Sequence, residues 1–187
     1  MMRIALLLSL GLALGAPVHS QSIEDNFRKA VALSAQGRPS ESAAAMRDAA
    51  ADLWLQSPLS IATATFVNER ASAFGVYDKK TDTVFETGES LRVYAEPIGY
   101  GWTADDNSFR NDIKVSARLL DAESQPIWQK DDFGFFSFTS GHRFMEFYLS
   151  LRLDTGGLPA GIYTLEYLVK DEVRDNVALI SLPFTMR

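Results

Sequence analysis

From Leu59 to the C-terminus, apolar residues fall on every second position, and clusters of turn-forming residues break the pattern at short intervals. Leu91, Val93 and Ala95 alternate with polar neighbours. Ile113, Val115, Ala117 and Leu119 do the same, as do Phe147, Leu149, Leu151 and Leu153, and then Tyr163, Leu165, Tyr167 and Val169. A period of two sends successive side chains to opposite faces of a strand, so each run has one face for a core and one for water. Residues 61–67 are rich in β-branched side chains, 73–77 follow after a polar kink, 133–138 are aromatic, 144–153 contain the alternating run from Phe147, and 177–186 close the chain. Asp78-Lys79-Lys80-Thr81-Asp82, Asp121-Ala122-Glu123-Ser124 and Gly156-Gly157-Leu158-Pro159-Ala160-Gly161 supply turns between them. About eight strands so spaced predict a mainly β protein, an antiparallel sandwich over residues 58–187.

The N-terminus reads as a secretion leader, residues 1–20. Arg3 gives a positive start, residues 4–14 form an apolar run, Ala16-Pro17 breaks it, and Val18-His19-Ser20 places cleavage before Gln21. Such a run is shorter than the roughly 20 residues that a membrane-spanning helix needs. The expectation is a periplasmic or secreted protein with no stable membrane insertion after processing. The chain has no cysteine, which excludes disulfides, thiolate metal sites and cysteine nucleophiles. In an exported chain this points toward a bacterial periplasm, and a chain of this length can bury roughly 70% of its unfolded surface without covalent staples. The net charge of −6 argues against nucleic acid as a partner.

Residues 21–57 follow a helical rhythm. Ser22 can cap a first helix whose apolar stripe is Ile23, Phe27, Ala30 and Val31, and Gly37 stops it. Pro39 or Ser40 opens a second helix with Ala43, Met46, Ala50, Leu53 and Trp54 on its buried face, ending near Ser57-Pro58. Ala30, Leu33, Gly37, Glu41, Ser42, Met46 and Ala49 stand where a tetratricopeptide unit has its signature residues, and the hairpin resembles one such unit. Arrays of that kind need about three repeats to bury their faces, and no second copy follows. The resemblance therefore implies a helical hairpin packed on the main domain or on another subunit, without a repeat groove.

The run Leu158-Pro159-Ala160-Gly161-Ile162-Tyr163-Thr164-Leu165 resembles the approach to the penultimate strand in immunoglobulin-like and fibronectin-like bacterial domains. That resemblance implies an immunoglobulin-like β-sandwich, with Tyr163 covering one end of the core, and carries no catalytic or ligand residue. Residues 85–102 resemble the matching stretch of uncharacterised exported bacterial proteins.

Motifs for chemistry are sparse. With His19 in the leader, His142 is the single remaining histidine, so a typical structural zinc site is excluded. Ser140 lies too close to His142 in sequence for an assured Ser-His-Asp partnership, which leaves a loop histidine as the expectation. Gly99-Tyr100-Gly101 lacks the third glycine of a dinucleotide loop, and no cofactor is expected. Asp105, Asp106 and Asp112 are candidate oxygen ligands for calcium, although the EF-hand spacing is missing. Asp105, Asp106 and Asp131 are also the acids a glycan hydrolase would use, if two carboxyls sat about 5 to 10 Å apart.

Glu96-Pro97-Ile98-Gly99-Tyr100-Gly101-Trp102 follows a strand directly. Glycines on both sides of Tyr100 loosen the backbone. Glu96, Tyr100 and Trp102 then either project as a recognition surface, with Trp128 and Phe135 near by, or fold back to plug the open end of the sandwich. The reading that follows is an exported noncatalytic binding or assembly module that recognises a protein or glycan of the cell envelope. The alternative is an acid/base glycan hydrolase using loop carboxylates.

Overall fold

The computed structural model describes residues 18–187, with side chains from Ile23 onward. The expected leader lies outside the described residues except for Val18-His19-Ser20, which form the first turn of helix α1 (Val18–Ala35). The helix thus begins a turn before the expected cap Ser22, because none of residues 18–21 breaks a helix. Gly37 ends it as expected. At φ +71° it closes a Schellman turn, with Gly37 N–H on the Ser34 carbonyl and Arg38 N–H on the Leu33 carbonyl, both at 3.0 Å. Arg38 then accepts the first bond of helix α2 (Pro39–Gln56), and Pro39 occupies the position where a missing N–H costs nothing.

Of the expected stripe Ala30 is buried and Ile23 and Trp54 are half-buried, but the rest of the buried face differs from the expected one. Ala30, Leu33 and Ala45 form its small apolar cluster, while Phe27, Val31, Met46 and Leu53 are exposed, as are Ala43 and Ala50. The stripe includes polar residues that find partners. Asn26 donates to the Asp52 carboxylate at 3.0 Å and Ser42 Oγ donates to the Ala30 carbonyl at 2.7 Å. Counting apolar residues alone misplaces a face that is sealed by hydrogen bonds and alanines.

The compact unit beginning at Leu53 holds the strands. Among the described residues these are β1 (Ser60–Phe66), β2 (Val84–Phe85), β3 (Leu91–Ile98), β4 (Thr103–Asp105), β5 (Ser108–Leu120), β6 (Pro126–Ser140), β7 (Leu149–Leu153), β8 (Gly161–Asp171) and β9 (Asn176–Met186). One sheet runs β1-β3-β7. The other runs β2-β9-β8-β5, continued from β5 by the short β4 and by β6. All pairings are antiparallel except β2 with β9. A first strand on one sheet, followed by a short parallel strand on the last strand of the other, is the immunoglobulin-like arrangement.

The alternation does its work here. Val93, Ala95, Leu149 and Leu151 from the small sheet share one core with Ile113, Val115, Leu165, Tyr167, Val169, Ile180 and Phe184 from the large one. Each Val, Leu, Ile or Phe among them contributes roughly 1.5–3 kcal/mol by leaving water. At the entrance of β8, Tyr163 Oη donates to the Pro159 carbonyl at 3.0 Å, the corner that this fold places before its penultimate strand.

One expected strand is absent and another is shortened. Residues 73–77 carry only an isolated bridge between Ala73 and Val76, within a long connection that crosses the outer face of β3. There Val67, Ala71 and Tyr94 form a second small core, with Tyr77 and Tyr148 packed against it. Residues 143–148 are irregular and pairing starts only at Leu149, because Phe144 turns in to join the main core. The β5–β6 ladder is interrupted between Val115 and Ala117, where Asp132 adopts φ +52°. Among the described residues, no helix is long and apolar enough to cross a membrane.

Candidate functional site

The segment that the sequence leaves as either recognition surface or plug turns inward. Gly99 follows β3 at φ +76°, and a Cβ there would stand 2.4 Å from the Pro58 carbonyl oxygen, so the close approach requires glycine. Tyr100 is fully buried. Its ring meets Trp54 edge-on at 5.1 Å and also contacts Phe144 and Phe147, while its hydroxyl donates to the Phe144 carbonyl at 3.2 Å. Trp54 Nε1 in turn donates to the Tyr100 carbonyl at 2.9 Å. Burial holds the Tyr100 phenol far above its ordinary range, so it stays neutral. Trp102 is half-buried against Trp54 and Phe144.

The loop is pinned from the other side by the β8–β9 turn. Asp171 accepts the Gly101 and Val173 N–H groups at 2.8 and 2.9 Å, and Arg174 Nη1 donates to the carbonyls of Gly99 and Ser57. Tyr100 is therefore the plug of this end of the sandwich and not a stacking platform. Sequence reading missed Asp171 and Arg174, which lie some seventy residues away.

Glu96 stands apart from both aromatics. It lies on the outer face of β3, where it accepts the Tyr94 hydroxyl at 2.5 Å, and that hydroxyl accepts the Gly75 N–H at 2.7 Å. Burial first, then the bond to Glu96, pushes the Tyr94 pKa up to about 12. The expected trio is thus split between an outer face and a core.

The candidate acids are also dispersed. Asp105 ends β4, opposite Ser108, and Asp106 sits in the turn at φ +46°. Asp112 lies four residues further along β5, roughly 13 Å away at the usual rise, and pairs with Arg110 at 3.1 Å. Among the described residues no three acidic or histidine side chains gather as a metal set. Asp131 on β6 lies near the level of Ser116, about 26 Å along the ladder from Ser108, so it cannot join Asp105 or Asp106 in cleaving one bond. It shares a shallow hollow with Glu166, an acid that sequence reading passed over, but Glu166 is held by the Arg118 guanidinium. His142 is exposed, 3.5 Å from Ser140 Oγ.

What the fold does assemble is an aromatic groove of about 470 Å³ at the open side of the sandwich. Phe136 and Phe138 come from β6, Phe147 and Tyr148 from the irregular segment before β7, and Phe74 from the connection across β3. Arg70 and Glu146 stand at its rim. Each wall has its own support. Phe138 packs edge-on to Phe144 at 4.8 Å, Phe147 meets Tyr100 at 5.7 Å, and Tyr148 stacks on Tyr94, which stacks on Tyr77. The Gly75–Tyr94 hydrogen bond fixes the tip that carries Phe74. Phe74 and Phe138 remain 38% and 49% exposed, large apolar rings held open to water.

Strand β6 borders this groove and pairs only with β5. Its other edge carries N–H and C=O groups with no backbone partner among the described residues. From Phe135 to Ser140 that edge holds no charge or proline. An unpaired strand edge beside an apolar groove can accept a further strand, with main-chain bonds along the edge and alternate side chains in the groove. Trp128 and Phe135, expected beside the Tyr100 loop, instead lie exposed along this same strand.

No family model matches the chain, and no curated protein matches it in sequence. Solved structures similar to it include the PKD domain of an M14-like peptidase from Thermoplasmatales archaeon SCGC AB-540-F20, at 13% identity and a TM-score of 0.39, covering 70% of this chain and 96% of that one. A Niemann-Pick type C2 protein from the Japanese carpenter ant is 6% identical with a TM-score of 0.40, over 70% and 94% of the two chains. A family 123 glycoside hydrolase from Clostridium perfringens is 9% identical with a TM-score of 0.40, over 70% of this chain and 27% of that one.

Proposed function

We propose that the chain is an exported, noncatalytic binding module that takes an extended segment of a protein partner into the aromatic groove. The observation that carries this reading is the coincidence of two features at one place: a groove walled by Phe74, Phe136, Phe138, Phe147 and Tyr148, and the unpaired edge of β6 beside it. Strand addition satisfies the edge, and burying two or three alternate side chains supplies roughly 1.5–3 kcal/mol each before the cost of association. The scattered carboxylates favour binding over acid/base hydrolysis, and the leader-like composition of residues 1–20 is what supports export.

A random twelve-residue peptide library displayed against the full chain tests the reading. Selected sequences are expected to carry apolar residues at every second position, and Phe74→Asp is expected to abolish their capture. Failure to enrich any sequence, or capture that Phe74→Asp leaves intact, would overturn it.

A further inference from the structure

The groove continues into a cationic hollow. Arg70 and Ser150 line both the aromatic groove and a second depression of about 480 Å³, whose remaining walls are Arg92, Leu151 and Arg152. Arg92 on β3 stands directly opposite Arg152 on β7 in the sheet register. Like charges facing each other across a ladder are destabilising, so an uncompensated pair calls for a reason. Arg152 is partly offset: its guanidinium bonds Asp154 at 2.7 and 2.9 Å, and Ser90 bonds the same carboxylate. Those two partners, the Ser90 hydroxyl first, hold the Asp154 carboxyl below its usual range.

The Arg70 and Arg92 side chains make no ion pair or hydrogen bond among the described residues; Arg92 acts through space on the Asp154 carboxyl, which it helps to hold low. Three arginines thus line one hollow in a chain whose net charge is −6. Guanidinium forks are matched to planar oxyanions, and carboxylate is the one an extended peptide carries.

We propose that Arg70, Arg92 and Arg152 bind a carboxylate of the segment that occupies the aromatic groove, so that the partner is an extended acidic peptide read by apolar side chains at one end and by charge at the other. This rests on the groove reading above. The carboxylate has two sources, an Asp or Glu side chain or the peptide's own C-terminus.

Three fluorescein-labelled eight-residue peptides alternating threonine and leucine separate the possibilities by anisotropy: one amide-capped and neutral, one amide-capped with a terminal glutamate in place of the last leucine, and one with a free C-terminal carboxylate. At least one carboxylate peptide should bind about tenfold tighter than the neutral one. Arg92→Gln/Arg152→Gln, at two positions that line only the hollow, should remove that advantage while leaving the neutral peptide's affinity unchanged, which also shows that the variant is folded. Raising the salt should shrink the gap. Which carboxylate peptide gains identifies the source. Equal affinity for all three, or an advantage that survives the double variant, overturns the arginine assignment and leaves the groove reading standing. No binding by any of the three overturns the groove reading itself.

Discussion

The hydroxyl of Tyr163 reaches back four residues to the carbonyl of Pro159, at 3.0 Å, and so joins the start of β8 to the connection that precedes it. The same ring stacks on Phe184 of β9 at 5.6 Å, which makes the residue both a packing element and a tie. Tyr163→Phe removes only the tie. Pro159 is exposed and its carbonyl can turn to water, so the expected loss is about 1 kcal/mol, with a melting point lowered by roughly 2–4 °C. Urea unfolding of the two chains measures it.

Tyr100 separates plug from platform. Tyr100→Ala should cost about 3–5 kcal/mol, the usual loss for emptying a large aromatic site in a core. Calorimetry should show a large fall in melting temperature. An unchanged transition would mean that the ring does not fill the space between Trp54, Phe144 and Phe147.

Alkaline pH should weaken the fold through Tyr94. Its folded pKa stands at about 12 against 10.0 for the free phenol, so the folded state holds this proton more tightly than the unfolded one. The resulting stability is fully present below pH 10 and is lost as pH rises toward 12. Tyr94→Phe should therefore show a shallower decline over that window in denaturant midpoints taken pH by pH.

Asn111 offers a stabilising change. The residue is fully buried on β5, and neither its Oδ1 nor its Nδ2 has a partner among the described residues. An unpaired buried amide costs about 1–3 kcal/mol in desolvation, so Asn111→Leu, of similar size, should raise the melting temperature. A drop would show that the amide is satisfied in solution.

The strands were legible because one buried face writes itself as alternation, and the Tyr163 corner because Leu158-Pro159-Ala160-Gly161 is a local device. The direction of the Tyr100 loop was not legible. Glycines at 99 and 101 free a loop to turn either way, and the choice is made by Trp54, Phe144, Asp171 and Arg174, none of them local. The groove lay hidden for the same reason. Phe74, Phe138 and Tyr148 read as members of three separate runs, and only the pairing of strands distant in sequence brings their ends together. The opposition of Arg92 and Arg152 depends on β3 lying beside β7, which no periodicity reveals. The hairpin stripe failed differently: its face is closed by Asn26 and Ser42, which a count of apolar residues discards.

The kink at Asp132 in β6 acts as a ruler. It divides a fifteen-residue margin into two short lengths, and the one beyond it, Gly134 to Ser140, measures about 23 Å. A visitor of seven residues fits that span, whereas a longer one runs into Lys130-Asp131-Asp132 and the distorted backbone. Edge-to-edge pairing along β6 is therefore confined to the short stretches on either side of the kink, one of the ways a sheet margin is kept from templating fibrils.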